Sequence, residues 1–453
     1  MNERPVVVWF RTDLRTDDHP ALNAAAAAGA PVVALYVLDD AQDGRPLGGA
    51  SRWWLHHALA SLRDGLARLG VPLVLRRGPA VTVVPAVVAE VDAAAVHWNR
   101  GATPFQRATD TAVAALLGER ARLAAADLIA EPAALRTGGG QPYRVFTPFW
   151  KTLARDHAPP PPQAAPERLR SMAAPPPGDR LEDWGLTPSH PDWAGGLRET
   201  WRPGEAGAMA LLEAFLGTAV DRYATRRDYP AEAGTSRLSP HLRFGEISVR
   251  RLWHMAQALA GDAAAAFLRE VGWREFNHHL LFQQPALHDV PLRREFNDFP
   301  WREDTAAFKA WREGRTGFPI VDAGMRELWR TGWMHNRMRM IAASFLVKDL
   351  LVPWQWGERW FWDTLVDACP ANNPGSWQWV AGCGSDAAPY FRVFNPTLQG
   401  EKFDPRGAYV RKWVPEAADG AGLFSTYPAP MVDHNTARRR ALVAYEDMNK
   451  SRS

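Results

Sequence analysis

The stretch from Asp367 to Gln399, DACPANNPGSWQWVAGCGSDAAPYFRVFNPTLQ, carries the most chemically specific pattern in the chain. It combines a carboxylate, two adjacent asparagines and two tryptophans with small residues that let a large planar ligand approach the backbone. Asn373 offers both a hydrogen-bond donor and an acceptor, and Trp377 and Trp379 add aromatic surface and indole N–H groups. Composition alone favours a simpler interpretation, a loop-rich core segment with buried tryptophans. The motifs around the stretch therefore decide between the two.

The overall composition is that of a globular protein with two domains. At 453 residues the chain exceeds one ordinary core. No apolar run reaches membrane-spanning length, the start does not resemble a secretory signal, and the two cysteines lack metal-ligand spacing. We therefore expect a cytoplasmic protein without a metal site or membrane contact, and nothing requires more than a monomer. The 53 basic and 50 acidic residues nearly balance, so any nucleic-acid surface must be a local patch.

The N-terminal part predicts a parallel α/β sheet. Apolar runs at 5–10, 31–39 and 72–78, with a weaker one at 96–98, alternate with alanine-rich helical patterns such as 50–70. Buried apolar runs separated by helices are typical of parallel strands with right-handed crossovers. We assign residues 1–130 to an α/β domain with helices flanking the sheet. It contains no GxGxxG or P-loop pattern.

The rest of the chain predicts a long connector followed by an all-α domain. In residues 131–200, two proline clusters and a Gly-Gly-Gly triplet interrupt any long helix, as expected of a surface connector. From 201 to 453, strand signals nearly vanish. Apolar spacing predicts helices at 206–220, 246–260, 263–283, 322–331 and 334–351. Fourteen of the 21 tryptophans follow residue 200, so aromatic chemistry is expected in this half.

Three further motifs offer ligand-binding chemistry. Hydroxyls and an arginine lie before a proline-initiated helix in Tyr223 and the Thr-Ser-Arg-Leu-Ser segment 235–239, an arrangement that suits a phosphate. Such clusters are more often simple helix caps. In the helix 263–283, four residues at i, i+3, i+4 and i+7 share one face: Glu270, Trp273, Arg274 and Asn277. That face is suited to a planar base, although amphipathic helices with a solvated polar stripe are commoner. In 331–340, Asn336, Arg339 and Met340 also share a face, where the amide and the polarisable sulfur suit a pyrimidine.

Together these motifs resemble the photolyase/cryptochrome family, and within it the cyclobutane pyrimidine dimer photolyases. The matches that carry the resemblance are ordered and correctly spaced over about 220–413, with weaker matches at 5–115. The resemblance implies a C-terminal FAD-binding domain. It also implies light-driven repair of UV-damaged DNA, in which photoexcited reduced FAD passes an electron to a flipped-out dimer.

The resemblance assigns roles residue by residue. It implies an FAD site formed by Tyr223, Thr235, Ser236, Arg237, Leu238, Ser239, Phe267, Arg274, Arg339, Asp367, Cys369 and Asn373, with Asn373 facing flavin N5. It implies DNA or lesion contacts from Arg227, Glu270, Trp273, Asn277, Asn336, Arg337, Trp379 and Gln399. For catalysis it implies Glu270, Asn336 and Met340 at the dimer, Asn373 at the flavin, and an electron-transfer row formed by Trp377, Trp354 and Trp301.

Several features separate the alternatives within the family. The segment around Met334–Asn336 does not resemble the histidine pair of (6-4) photolyases, which favours the cyclobutane lesion. Asn373, where plant cryptochromes tend to have aspartate, and a short tail after about 415 favour repair over a cryptochrome-like photoreceptor that binds FAD without repair. A helical DNA-binding protein without cofactor leaves the segments 235–239 and 367–373 unexplained.

Three departures from the family pattern bear on cofactor chemistry. Cys369 replaces the second acid of the usual Asp-x-Asp, and a thiol is a weak, usually uncharged hydrogen-bonding group. Phe267 stands where close relatives often have a tryptophan. Ala102 and Thr103 replace the usual Tyr-Glu pair, which disfavours a methenyltetrahydrofolate antenna. A deazaflavin, another flavin or no antenna remain alternatives.

Overall fold

The structure is a computed structural model that describes residues 4–41, 43–125, 127–386, 391–418 and 427–450. An N-terminal region built on a parallel sheet is followed by a helical C-terminal region, so the predicted fold class is confirmed.

The sheet has five parallel strands in the order β3-β2-β1-β4-β5. The strands are β1 (Val6–Phe10), β2 (Val32–Leu38), β3 (Leu73–Arg77), β4 (Ala95–Asn99) and β5 (Ala121–Ala124). Trp9 pairs with Leu35 on one side of β1, and Val8 pairs with His97 on the other. The sequence predicted four strands and missed β5, because this short edge strand has no buried residue. The strand order reverses between β1 and β4, so their carboxyl ends border a crevice.

Four helices cover the two faces of the sheet: α1 (Pro20–Ala27), α2 (Gly49–Arg68), α3 (Ala80–Glu90) and α4 (Pro104–Leu117). Two of them begin with a side-chain cap followed by proline at the first helical position, where no backbone donor is needed. His19 Nδ1 accepts from the backbone N–H of Leu22 at 3.0 Å, and the Thr103 hydroxyl accepts from Gln106 at 3.2 Å. These caps fix both helix starts beside the crevice.

The remaining sixteen helices of the described residues build the connector and the C-terminal region. They are α5 (Phe146–Asp156), α6 (Gly195–Thr200), α7 (Glu205–Thr218), α8 (Tyr223–Arg226), α9 (Ser239–Arg243), α10 (Val249–Ala260), α11 (Ala265–Gln283), α12 (Thr305–Arg312), α13 (Pro319–Thr331), α14 (Asn336–Ser344), α15 (Trp354–Thr364), α16 (Asn372–Ala381), α17 (Pro396–Phe403), α18 (Ala408–Trp413), α19 (Pro415–Ala418) and α20 (His434–Lys450). The helix predicted at 334–351 is interrupted earlier, because a π-helical turn at Phe345–Asp349 follows α14 and Leu351 has φ +55°.

Polar contacts hold the N-terminal region against the helical region. The Trp54 indole donates to Glu246 at 3.1 Å, and the Trp362 indole donates to the carbonyl of Pro46 at 2.9 Å. Arg251 donates to both carboxylate oxygens of Asp17, at 2.8 and 2.9 Å. These contacts join the two regions, and the crevice at the carboxyl ends of β1 and β4 lies at their junction.

Candidate functional site

A cavity of about 490 Å³ occupies this junction, within the usual range of ligand sites. Its walls come from the loops after β1 and β4, from α9, α11, α14 and α16, and from the loop at 367–370. Of the residues predicted to act on cofactor or substrate, the wall contains Arg227, Ser239, Glu270, Trp273, Arg274, Asn277, Asn336, Arg339, Met340, Asp367, Cys369, Asn373, Trp377 and Trp379. One cavity thus brings together residues that are separated by up to 152 positions.

The face of α11 that the sequence predicted lines the cavity with all four of its residues. Glu270 forms an ion pair with Arg227, and Arg274 donates to Glu275 at 2.6 Å. Trp273 stacks on Phe146 of α5 with 3.8 Å between ring centroids and 9° between ring planes. The connector therefore supplies a second aromatic plate that fixes the orientation of the first.

Glu275 lies directly behind this face and is buried. Its Oε2 accepts from the backbone N–H of Ile129 at 2.8 Å. Burial raises the pKa of its carboxyl to about 7, although the neighbouring Arg274 guanidinium acts in the opposite direction.

The predicted face of α14 also meets the cavity. Asn336, Arg339 and Met340 line the wall, whereas Arg337 points away, donates to Asp228 at 2.7 Å and lies 4.4 Å from the Phe403 ring centroid. His335 caps the helix by accepting from the N–H of Arg337 at 3.2 Å. Burial lowers the pKa of His335 to about 4, so its imidazole is neutral and free to accept this bond.

Asp367 presents a free acceptor to the site. Its Oδ2 accepts from Arg339 at 2.7 Å, whereas its buried Oδ1 has no hydrogen bond among the described residues. A buried carboxylate oxygen without a donor is costly. It therefore suits a ligand that carries an N–H group.

Cys369 contributes its thiol to the wall beside weak hydrogen-bonding partners. Its Sγ is 3.4 Å from the backbone nitrogen of Ala371, 3.4 Å from Nδ2 of Asn372 and 3.8 Å from Nε2 of His278. Burial keeps the pKa of His278 well below its usual value, so the imidazole is uncharged. Position 369 therefore contributes a thiol to the wall where the family pattern has an acid.

Most of the predicted phosphate segment lies outside the cavity wall. Of residues 235–239, Ser239 alone lines the cavity. Arg237 has φ +54°, and its guanidinium packs between the rings of Trp201 and Trp333, 4.4 and 4.9 Å from their centroids. Leu238 is buried in the core. The structure therefore does not bring Thr235, Ser236, Arg237 or Leu238 to the wall.

Two predicted aromatic cofactor residues also lie behind the wall. Tyr223 and Phe267 pack against each other and against Phe215, with ring centroids 5.7, 5.5 and 4.7 Å apart for the three pairs. Local patterns could not predict this arrangement, because the three residues belong to different elements of the core.

The three tryptophans of the predicted electron row have different environments. Trp377 lines the cavity and is 2% exposed, Trp354 is 1% exposed in the core, and Trp301 is half-buried. No ring contact between described residues joins any two of them directly. Trp377 instead contacts Phe361 and Trp311, at 5.0 and 6.1 Å between ring centroids. Trp311 is a neighbour that the motif analysis missed.

Of two further residues predicted to contact DNA, one lies in the cavity wall and the other does not. Trp379 lines the cavity and donates from its indole to the carbonyl of Asp386 at 3.2 Å. Gln399 lies on α17, away from the cavity wall. Residues 387–390 of the quoted stretch lie outside the described part of the chain.

Sequence reasoning missed the part of the wall that the sheet region contributes. Arg11, Asp13, Asn99 and Gln106 line the cavity at the carboxyl ends of β1 and β4. Asn99 donates to Asp13 at 2.7 Å, and His19 lies 3.1 Å from the same carboxylate. Burial alone would raise the pKa of Asp13, but His19, the backbone N–H of Arg11 and the charge of Arg15 together hold this pKa well below its usual range. The strand order supplies the signal that the motifs lacked, because ligands bind where it reverses.

The hydrogen-bonding groups and aromatic surface of the helical wall fit FAD. The free oxygens of Asp367 and Asn373 suit N–H groups of the ring systems, the guanidinium of Arg339 and the hydroxyl of Ser239 suit oxygens, and Trp377 provides an apolar surface. Within the ranges that the structure describes, no cluster of three or more His, Cys, Asp or Glu side chains is placed to hold a metal ion. None of the helices searched in those ranges is long and apolar enough to cross a bilayer.

Comparison with known proteins agrees with this chemistry. A family model for DNA photolyase matches residues 6–167, and a model for the FAD binding domain of DNA photolyase matches residues 267–447. A deoxyribodipyrimidine photo-lyase of Agrobacterium fabrum is 46% identical over 99% of this chain and 98% of that protein. The crystal structure of a bacterial class III photolyase from Agrobacterium tumefaciens superposes with a TM-score of 0.95 at 45% identity, covering 99% of this chain and 98% of that one.

The similarity extends to cryptochromes. Cryptochrome-1 of Arabidopsis thaliana is 36% identical over 98% of this chain and 70% of its own length. Because photolyases and cryptochromes both match almost the whole chain, the fold does not separate the two groups. The protein belongs to the photolyase and cryptochrome family, and FAD is its cofactor.

Proposed function

We propose that the protein is a light-driven enzyme that repairs cyclobutane pyrimidine dimers in DNA. The observation that carries this proposal is the common cavity. Glu270, Trp273, Asn336 and Met340 line the same space as the wall that fits FAD. A carboxylate, an indole plate, an amide and a thioether are suited to hold a pair of pyrimidines by hydrogen bonding and stacking.

In this proposal the residues of α11 and α14 bind and orient the dimer. Trp273 is held by its stack on Phe146 and offers its other face to a base, while Asn336 offers donors and an acceptor to a pyrimidine edge. Glu270 accepts hydrogen bonds from the dimer. Its ion pair with Arg227 keeps that carboxylate in place before the lesion arrives.

The cofactor supplies the chemistry that the side chains lack. Bound FAD in its reduced form supplies an electron under near-ultraviolet or blue light. The chain's own residues exclude water from the cavity and hold the two ligands together. We propose that Asp367, Arg339, Asn373, Arg274, Cys369 and Ser239 hold FAD directly. Tyr223, Phe267 and residues 235–238 support that wall from behind.

Further roles follow from the same proposal. Trp377, Trp354 and Trp301 serve as the route by which electrons reach the cavity from the surface. Arg227 at the cavity wall and Arg337 and Gln399 outside it contact DNA phosphates, with Asn277 and Trp379 at the lesion, so binding weakens as salt rises. We place this activity in the cytoplasm and assign it to a monomer, since one chain builds the whole cavity.

Light-dependent repair of defined lesions tests the proposal. The chemically reduced protein is illuminated with oligonucleotides that carry either a thymine cyclobutane dimer or a (6-4) product, alongside samples kept in the dark. We expect thymines to be restored only in the light and only from the cyclobutane lesion. Repair of the (6-4) product instead would overturn the choice of substrate.

The Glu270 carboxylate has its own test. Glu270→Ala is expected to lower both lesion affinity and the quantum yield of repair, because the dimer loses an acceptor. If both quantities match those of the wild type, the role assigned to this carboxylate is wrong. The alternative function, a blue-light photoreceptor, is favoured by the similarity to Cryptochrome-1. A yellow, photoreducible protein that repairs neither lesion would support it.

A further inference from the structure

The side-chain amide of Asn373 is oriented by a residue behind the cavity. Its Nδ2 donates to the backbone carbonyl of Glu358 at 3.0 Å and to the Glu358 carboxylate Oε1 at 2.8 Å. An amide has two N–H donors, so both are used. Oδ1, which has no hydrogen bond among the described residues, is what Asn373 offers to a ligand in the cavity that it lines. Asn373 therefore acts there as an acceptor.

The Glu358 carboxylate is in turn held by the N-terminal region. Glu358 is fully buried, and both of its oxygens accept from Arg45, which lies in the loop after β2. The Nη1–Oε2 distance is 2.9 Å, and the Arg45 guanidinium lies 3.7 Å from the ring centroid of Trp362. A buried carboxylate without a countercharge is strongly unfavourable. Arg45 therefore supplies the positive charge that lets Glu358 remain an acceptor for Asn373.

We propose that Arg45 is a positioning residue that biases the bound FAD toward its reduced form. It acts through Glu358, which fixes the Asn373 amide with its carbonyl oxygen toward the cavity. Proton-coupled reduction converts a flavin ring nitrogen from a hydrogen-bond acceptor into a donor. An acceptor in the wall therefore favours the reduced ring over the oxidised one. The inference concerns FAD alone and holds whichever lesion is repaired.

Redox titration of the FAD-loaded protein tests this role directly. The ratio of reduced to oxidised FAD is measured at equilibrium with a reference dye for wild type, Arg45→Leu and Arg45→Lys. In Arg45→Leu we expect the ratio to fall about tenfold, the effect of losing roughly one oriented hydrogen bond. Arg45→Lys keeps the countercharge and should retain most of the ratio.

A matched control distinguishes a change in the orientation of Asn373 from a weaker contact between the N-terminal and helical regions. Arg251 also makes a two-pronged ion pair across the junction, with Asp17, but neither residue lines the cavity. Arg251→Leu should leave the ratio unchanged. An equal fall in Arg251→Leu would overturn the proposal, because the ratio would then report contact between the regions.

A double variant separates orientation from simple charge. Arg45→Leu with Glu358→Leu leaves the net charge unchanged, and replacing a buried ion pair by apolar residues is often tolerated by the fold. Our proposal predicts that the ratio remains low, because the carboxylate acceptor is still missing. A return to the wild-type ratio would overturn the proposal, as would an unchanged ratio in Arg45→Leu. If the single variant fails to hold FAD, the double variant decides the question.

Discussion

Gly357 in α15 sets the position of the Trp377 indole, and replacing it by alanine should damage the FAD site. A Cβ atom at position 357 would lie 2.1, 2.6 and 2.7 Å from three carbons of the Trp377 ring. Ordinary carbon contacts begin near 3.4 Å, so the ring must move by more than about 1 Å. The ring is 2% exposed and packs on Phe361 and Trp311, which leaves it no free space.

Two opposing terms set the size of the effect. Alanine in place of glycine favours a helix by about 1 kcal/mol. Overpacking a buried ring costs about 1 to 3 kcal/mol, and the short contacts place this site toward the upper end. We therefore expect Gly357→Ala to lower the free energy of unfolding by about 1 to 2 kcal/mol. Displacement of Trp377 into the cavity that it lines should also reduce the amount of bound FAD.

Denaturant unfolding and the flavin absorbance of the purified protein measure the two effects. Gly217→Ala is the matched control, because Gly217 lies in α7 and an added Cβ would meet nothing within 4 Å. This control should keep its FAD and be as stable as the wild type or more so. If Gly357→Ala proves equally stable and binds FAD normally, the assignment of Trp377 to a tightly packed cavity wall is wrong.

Three other changes test separate parts of the site. Trp273→Ala removes the stack on Phe146 and should weaken binding of a dimer-containing oligonucleotide about tenfold or more. Binding is measured in the dark, and an affinity equal to that of the wild type would show that Trp273 does not contact the lesion. Cys369→Asp adds negative charge to the cavity wall, which disfavours adding electrons to bound FAD and should lower its reduction potential. An unchanged reduction potential would contradict the placement of this side chain in the FAD site. Glu275 has a raised pKa in the folded state, so the folded protein holds this proton more tightly than the unfolded chain does. The free energy of unfolding of the wild type should therefore fall as pH rises from the usual glutamate pKa to about 7. Glu275→Gln should lose this slope in denaturant titrations at several pH values, and a slope that persists would show that another group causes it.

Local periodicity allowed the helix faces of the site to be predicted. Glu270, Trp273, Arg274 and Asn277 share one face because a helix repeats every 3.6 residues, whatever the rest of the fold. The structure places that face on the cavity. The same reasoning did not anticipate the packing of Arg237, whose position near Thr235 and Ser239 suggested a phosphate contact that stays a prediction. Its left-handed backbone directs the guanidinium between Trp201 and Trp333 instead.

Contacts between distant segments were beyond sequence reasoning. Arg45 and Glu358 are 313 positions apart, and neither lies in a motif. Asp13 and Asn99 meet because β1 and β4 are neighbours in the sheet, which follows from the strand order rather than from local composition. Both cases depend on how elements pack in three dimensions.

The most direct test of the central claim is repair by the reduced wild-type protein. A large excess of an oligonucleotide with a single thymine cyclobutane dimer is illuminated with blue light without oxygen, and restored thymines are counted for each bound FAD. We predict several dimers repaired for each FAD, none in the dark, and none with Trp273→Ala and Glu270→Ala combined. A fully reduced, FAD-loaded protein that restores no thymine in the light would contradict the account, and the cavity would then belong to a photoreceptor.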